Sequence, residues 1–484
     1  MDSSDPSAAQ FVSPGAVSSE SFFDEYAANP RFQQLQTELR SWLFVGATSG
    51  DHTRENSVSP EDEVADSNTH QAVRSKPGHQ YLLDHVRESN DQIPLQRKLR
   101  YLHVWITDCA PWLDMFDAER HFGIRVPILA QDSAAVFHAL LAVAARTAER
   151  QGDPQGSLCD SLELYSQAIT SLTSSLDTRE PNVMVTACLL CVLEMMSSSP
   201  RDWRRHVEGC AALFVSSGIN GFSGGLLQAV FWCYARMDLC GAIIADGTES
   251  TVLTVEKWAL IDAEGALHES DVARQQAIGE EFRRRGQQIP DMYANYAVYL
   301  CARVCDLLAR RTRHIELGED NGCDSNAFGH EWTRLWDDLQ EWLSCRPTEM
   351  TPVKSSTNNN ASRFPSIFFA HWAAISSNQL YHTACILMLE MKDDDTTSTR
   401  PDELHSTLWH ARRIIGISLT NPHPGCINNA IQPLFVAGKL FTHREEQKII
   451  VELIDSIEAR TGWGSRWRIK DLEAAWGYRH GTFT

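Results

Sequence analysis

What most restricts the fold of this chain is a three-and-four-residue spacing of apolar side chains that recurs from about residue 78 onward. Leu162, Tyr165, Ile169, Leu172 and Leu176 make one stripe; Trp332, Leu335, Trp336, Leu339, Trp342 and Leu343 make another; Ile449, Ile450, Leu453, Ile454 and Ile457 a third. Side chains so spaced share one face of a helix, and a chain repeating the pattern must bury those faces against one another. Between Val183 and Met196 the stripe widens to apolar residues all round, with Glu194 the one charge, which predicts a central helix enclosed by others. Strand signals are thin. Thr251 to Val255 is short and β-branched, and the Asp246-Gly247 and Asn321-Gly322 pairs lack alternating runs on both sides. The expected class is all-α, a large multi-helix domain of antiparallel helix pairs. No internal period of about 33–47 residues is present, so a helical repeat array is not expected.

Residues 1–77 read differently. They are rich in Ser, Ala, Asp and Glu, with Arg31, Arg40, Arg54 and Arg74 the basic residues before Lys76, a composition that predicts a largely disordered acidic tail. Inside it, Phe32, Leu35, Leu39, Trp42 and Leu43 predict one short helix near 31–45. Phe22-Phe23-Asp24-Glu25-Tyr26 mixes acids and aromatics, as activation segments and plain solvated tails both do. Residues 78–484 form the helical domain, and breakers near 246–250, 316–328, 347–362 and 392–402 are loops within it rather than interdomain linkers.

Composition removes several classes. The best uncharged apolar run, Ala134 to Ala145, falls short of the roughly 18 residues a membrane span needs, and the first 30 residues have neither the basic nor the apolar region of a secretory leader. Thirteen cysteines, an odd number, predict reduced thiols in the cytosol or nucleus rather than a disulfide framework. A net charge of −20 opposes DNA binding through the surface as a whole, which relies on Lys and Arg replacing phosphate counterions.

Four motifs invite chemistry. Gly221-Phe222-Ser223-Gly224-Gly225 matches the nucleophile elbow of hydrolases, but that elbow needs a strand before it, and Cys210 to Val215 continues a helix; a Gly- and Ser-rich helix connection is the expected reading. Cys188-x2-Cys191 with His206-x3-Cys210 spells a zinc set, yet the first pair lies in the most apolar stretch of the chain, where thiols pack as small hydrophobes; Cys301-x3-Cys305 reads the same way. Asp393-Asp394-Asp395 is expected to be a solvated loop. Arg283-Arg284-Arg285 and Arg310-Arg311-x-Arg313 suit a phosphate contact, an import signal, or helix faces paired with local carboxylates.

A longer series of blocks is more specific through its order. It runs Trp112-Leu113-Asp114-x-Phe116, Phe122, Val126-Pro127-x-Leu129-Ala130, Ala139 to Ala145, Tyr165 with Ala168, and Ala187 to Met195. Trp203-x2-His206-x2-Gly209-x3-Leu213 follows, then Phe231-Trp232-x-Tyr234-Ala235-Arg236-x-Asp238, and later Phe364-Pro365, Tyr381-His382-x-Ala384, Pro433-Leu434-x3-Gly438, Thr461-Gly462-Trp463 and Trp476. In Trp203-x2-His206-x2-Gly209 the three residues share one helical face; Gly209 would let a second helix approach, and His206 could bond a neighbouring carbonyl. Over residues 90 to 480 this order resembles the regulatory fungal-specific transcription factor domain of the binuclear zinc-cluster regulators.

The resemblance implies a nuclear protein, with shuttling to the cytoplasm compatible, that regulates transcription of a metabolic pathway. Its implied partners are other regulators or a second copy of itself, together with a small-molecule effector, and no membrane. It implies no enzyme activity; the alternative is an α-helical ligand-binding protein or a hydrolase using Ser223. Trp112, Asp114, Trp203, His206, Gly209, Trp232, Arg236 and Trp463 are the implied signature positions, structural rather than catalytic, metal-binding or DNA-contacting. Those regulators read DNA through six cysteines on two zinc ions. Here the first cysteine is Cys109 and no later spacing fits, so no cofactor and no direct DNA contact are expected unless a segment upstream carries the cluster.

Overall fold

The computed structural model describes residues 26–48, 93–153, 159–173, 181–260, 271–356, 363–392 and 403–483. Within them the chain is helical almost throughout: α1 (Pro30–Thr48), α2 (Leu95–Val104), α3 (His121–Leu129), α4 (Ala134–Arg150), α5 (Asp160–Thr173), α6 (Pro181–Ser197), α7 (Pro200–Ser217) and α8 (Gly225–Ile244). The second half adds α9 (Asp271–Gly286), α10 (Pro290–Leu317), α11 (Ser325–Ser344), α12 (Trp372–Glu390), α13 (Thr407–Thr420), α14 (Ile431–Gly438), α15 (Arg444–Thr461) and α16 (Trp467–Ala475). The all-α expectation is met, and the start and stop chemistry is local. Ser199 accepts from Asp202 N at 3.3 Å to open α7, with Pro200 in the first turn, and Gly218 closes it at φ 67°. Asp324 accepts from Asn326 N and Ala327 N, both at 3.0 Å, to open α11.

Helix α6 is the enclosed central helix that its composition predicts. Val183 to Glu194 are all buried, and α4, α5, α7 and α8 surround it. Helix α8 is, by length and composition alone, apolar enough to cross a membrane, but it lies mostly buried within the protein and meets α6, α7 and α10. In the second half α10, α11, α12 and α13 pack in succession, with Tyr293, Trp342 and Tyr381 stacked at centroid separations of 5.6 and 5.4 Å. Helix α14 ties the halves together, touching α8, α12, α13, α15 and α16.

Two details depart from the sequence reading. First, the loop near 347–362 contributes a strand: β1 (Lys354–Ser356) pairs antiparallel with β2 (Ser366–Phe368), and Asn421 holds β2 against α13 by accepting from Phe369 N at 2.9 Å and donating to Ile367 O at 2.7 Å. Thr251 to Val255, where the strand signal is thin, forms no strand: the Val252 and Leu253 amides go to the buried Asp238 carboxylate at 2.7 and 3.0 Å. Second, the short helix expected inside a disordered tail is α1, and it belongs to the packed body. Phe32, Leu35, Leu39 and Leu43 are buried, Trp42 faces outward, and Tyr26 donates to or accepts from Ser161 at 3.0 Å. Burial of that stripe against α7 explains the difference: tertiary contact supplies what the segment's composition lacks. Leu176, Phe22 to Glu25, the boundary at 77/78 and Asp393-Asp394-Asp395 lie outside the described residues.

The close approach of α1 to α7 runs through Gly209, where a Cβ would lie 2.9 Å from Leu43. Gly209→Val is therefore expected to lower stability by about 1–3 kcal/mol in denaturant unfolding and to speed proteolysis within α1, as overpacking does. Unchanged cleavage and unchanged midpoint would show that α1 does not seat on Gly209.

Candidate functional site

A buried carboxylate organises the centre of the protein. Glu194 on α6 is fully buried, and so is His206 on α7. The imidazole Nδ1 lies 2.9 Å from Glu194 Oε1, and Nε2 lies 3.0 Å from Ala187 O. A carbonyl oxygen only accepts, so Nε2 carries a proton, and Nδ1 donates to the carboxylate: the ring is an imidazolium. Burial works against that charge, but Glu194 outweighs it, and His206 is raised to about 10. Tyr165 donates to Glu194 Oε1 at 2.7 Å and Gln36 to Oε2 at 2.9 Å, with Arg40 3.5 Å away. Gln36 and Arg40 both come from α1. The Trp203-x2-His206-x2-Gly209 face is thus the seat of α1, with His206 positioning the charge and Gly209 the backbone.

The remaining signature residues gather around a hollow. Asp114 accepts from Phe122 N at 2.7 Å and Gly123 N at 2.8 Å, so it caps α3; burial, against those two bonds, lifts its carboxyl to about 7. That cap fixes the turn carrying Trp112, Leu113 and Met115. Arg236 on α8 donates to Leu113 O at 2.7 Å and lies over the Phe116 ring. Trp112 meets Trp463 edge-to-face at 6.0 Å. Gly462, at φ 69°, ends α15, and its carbonyl accepts from Arg150, which directs Trp463 inward. Together these groups wall a partly enclosed hollow between α6, α8, α12 and α14, completed by Val192, Met195, Met237, Cys240, Ile431 and Gln432. A second hollow shares Met195, Cys240, Ile431, Gln432 and Trp463 with it and extends to Trp203 and Trp467. A mostly apolar concavity with a few placed polar groups is the usual form of a small-molecule site. Trp232 alone stands apart, donating to Gly221 O at 2.9 Å and packing on Trp258.

The other motifs resolve locally. Gly221 must be glycine because a Cβ would overlap the Trp232 ring and approach Trp258 O to 2.8 Å. Ser223 is exposed in the connection between α7 and α8 and accepts from Asn220 N at 2.9 Å, a turn contact with no histidine in it. Both nitrogens of His206 are committed to oxygen, so it offers no lone pair to a metal, and no group of three or more His, Cys, Asp or Glu able to hold an ion exists among the described residues. The arginine clusters pair internally: Arg284 and Arg285 with Glu281, both at 2.6 Å, Arg283 with Glu341 at 2.9 Å, and Arg310 with Asp306 and Glu331 at 2.8 and 2.5 Å. Sequence reasoning missed Gln36, Arg40, Gln432 and Cys240. A signal for the first two existed, since a lone charge in an apolar helix needs partners.

With this geometry in view, similarity to known proteins is informative. The profile described as Fungal specific transcription factor domain matches residues 100–481. A transcription activator of Alternaria alternata, AMTR1, is 24% identical over 376 residues, which cover 68% of this chain and 48% of that protein. The chain therefore spans about half the length of this curated relative. No solved structure matches.

Two outcomes test the site's construction. The folded His206 is held above its unfolded value of about 6.5, so its stabilisation is complete below that pH and is lost as pH rises toward about 10. The melting-temperature gap between wild type and His206→Asn should be widest near pH 6 and shrink by pH 10; a gap independent of pH would refute the imidazolium. Ser223→Ala should change stability by less than about 0.5 kcal/mol, whereas Gly221→Ala should cost about 1–3 kcal/mol. The reverse order in unfolding midpoints would contradict the packing role given to this loop.

Proposed function

The chain belongs to the fungal specific transcription factor domain family, and from that membership we propose that it regulates transcription in the nucleus, responding to a small molecule held in the hollow between α6, α8, α12 and α14. One observation carries this reading: Trp112, Arg236 and Trp463, three signature positions far apart in the chain, meet in the wall of a single apolar hollow. The hollow also touches α14, which links the two halves, so an occupant is able to bias how they pack. The relative described as a transcription activator supports the same reading.

Under this proposal the domain acts by binding rather than by catalysis and requires no cofactor of its own. The effector is a metabolite, so that output follows the state of a metabolic pathway. Its partners at target genes are other regulators or a second copy of the chain.

The test is a reporter assay with the full chain fused to a heterologous DNA-binding domain, alongside imaging of a tagged chain. Reporter output is expected to change when the chain is fused, and the tagged chain to concentrate in the nucleus. Met195→Trp, which fills the space shared by both hollows, is expected to shift the output while the helical circular dichroism signal persists. Output identical to the DNA-binding domain alone, with the tagged chain excluded from the nucleus, would overturn the proposal.

A further inference from the structure

The walls of the two joined hollows are unbalanced in charge. Trp112, Met115, Met195, Met237, Ile431 and Trp463 make them apolar, and no Asp or Glu lines either one. The single formal charge is the Arg236 guanidinium. Of its five N–H donors, one goes to Leu113 O at 2.7 Å, and its other contact is the face of Phe116. No carboxylate lies within ion-pair distance of it among the described residues, although most other arginines here have one; Arg40, Arg97, Arg146, Arg150, Arg204 and Arg303 each meet an Asp or Glu.

The nearby thiols do not replace a carboxylate. Burial raises Cys240 to about 11, which leaves it neutral. A hydrogen bond from Cys188, opposed by burial and aided by Arg236, draws Cys233 below the ordinary thiol value. A cation at the wall of an apolar hollow is poorly solvated, and an oxyanion placed there gains a charge-assisted bond in a planar, forked geometry. The carboxamide of Gln432 lines the same space, its Oε1 accepting from Arg468 at 2.9 and 2.6 Å and its amide facing the Cys240 thiol. The three methionines offer flexible, polarisable surface to an apolar body of variable shape.

We propose that the hollow takes an amphipathic monoanion, an apolar body carrying one carboxylate, with Arg236 as the group that binds the carboxylate. This assignment rests on the reading of the hollow as the effector site and names the chemical class that it selects. The joined walls, indole and thioether on most sides, enclose the body, and the acid group points toward α8. A neutral compound of the same shape fills the same space but leaves the guanidinium unpaired.

The test uses the full chain with decanoate and its uncharged counterpart decanamide, followed by calorimetry and by displacement of 8-anilinonaphthalene-1-sulfonate at pH 7.5. Decanoate is expected to bind at least tenfold more tightly than decanamide. Arg236→Gln is expected to weaken decanoate at least tenfold while decanamide changes less than threefold, and Arg236→Lys to restore most of the preference for the acid. Circular dichroism of each variant shows that the fold persists. Equal affinity of the two probes, or decanoate binding untouched by Arg236→Gln, would overturn the assignment of the acid group. If Met195→Trp abolishes binding of both probes in that case, the hollow remains the effector site with a different ligand class. If Met195→Trp leaves binding unchanged, the effector site itself is misplaced. Failure of either probe to bind at millimolar concentration overturns the acid proposal, and the reporter response to Met195→Trp then decides the reading beneath it.

Discussion

Glu194 places a carboxylate inside an enclosed helix that is otherwise uncharged, and much of the surrounding structure is arranged to satisfy it. Removing a carboxylate from water costs several kcal/mol even after relaxation, and the cost is offset only when charge and hydrogen bonds are both supplied. Here His206 supplies the charge, and Tyr165, Gln36 and Arg40 complete the shell from α5 and α1. Three helices, α1 from far along the chain and α5 and α7 from either side of α6, are therefore held against α6 by one side chain. The same requirement explains why α1, from a stretch whose composition predicts disorder, is ordered: two of the partners that Glu194 needs lie on it.

The hollow beside this centre follows from similar economies of packing. Trp112 and Trp463 are brought together by an aspartate cap at one end and a left-handed glycine at the other. Trp463 sits on the connection after α15, whereas Trp112 lies in the last turns of the helical run that ends at Phe116. The result is a space bordered by rigid rings and flexible thioethers, set between α6 in one half of the molecule and α12 and α14 in the other. Such a position suits a ligand that reports on, or alters, the packing of the halves.

Much of this was legible residue by residue. The stripe Leu335, Trp336, Leu339, Trp342 predicts a helix because burial of a 3–4 pattern has few other solutions, and the same holds for Ile450, Ile454 and Ile457. Gly209 was legible as a point of close approach, though not which helix approaches; that is Leu43, 166 positions away by the difference of the two numbers. The strand pair at Lys354–Ser356 and Ser366–Phe368 was not legible, because three residues are too few for alternation to show. Nor was it legible that Asp238 takes the amides of Val252 and Leu253.

By itself, the sequence determined the class of fold, the positions of most helices and the enclosed nature of α6. Those properties depend on near neighbours along the chain, where a spacing of three or four residues decides which side chains share a face. Only the tertiary structure decided what Glu194 is paired with, that α1 belongs to the body, and that Trp112, Arg236 and Trp463 border one hollow without a carboxylate. These depend on contacts between different helices, several of them more than one hundred positions apart in the chain, and periodicity carries no information about which buried face meets which.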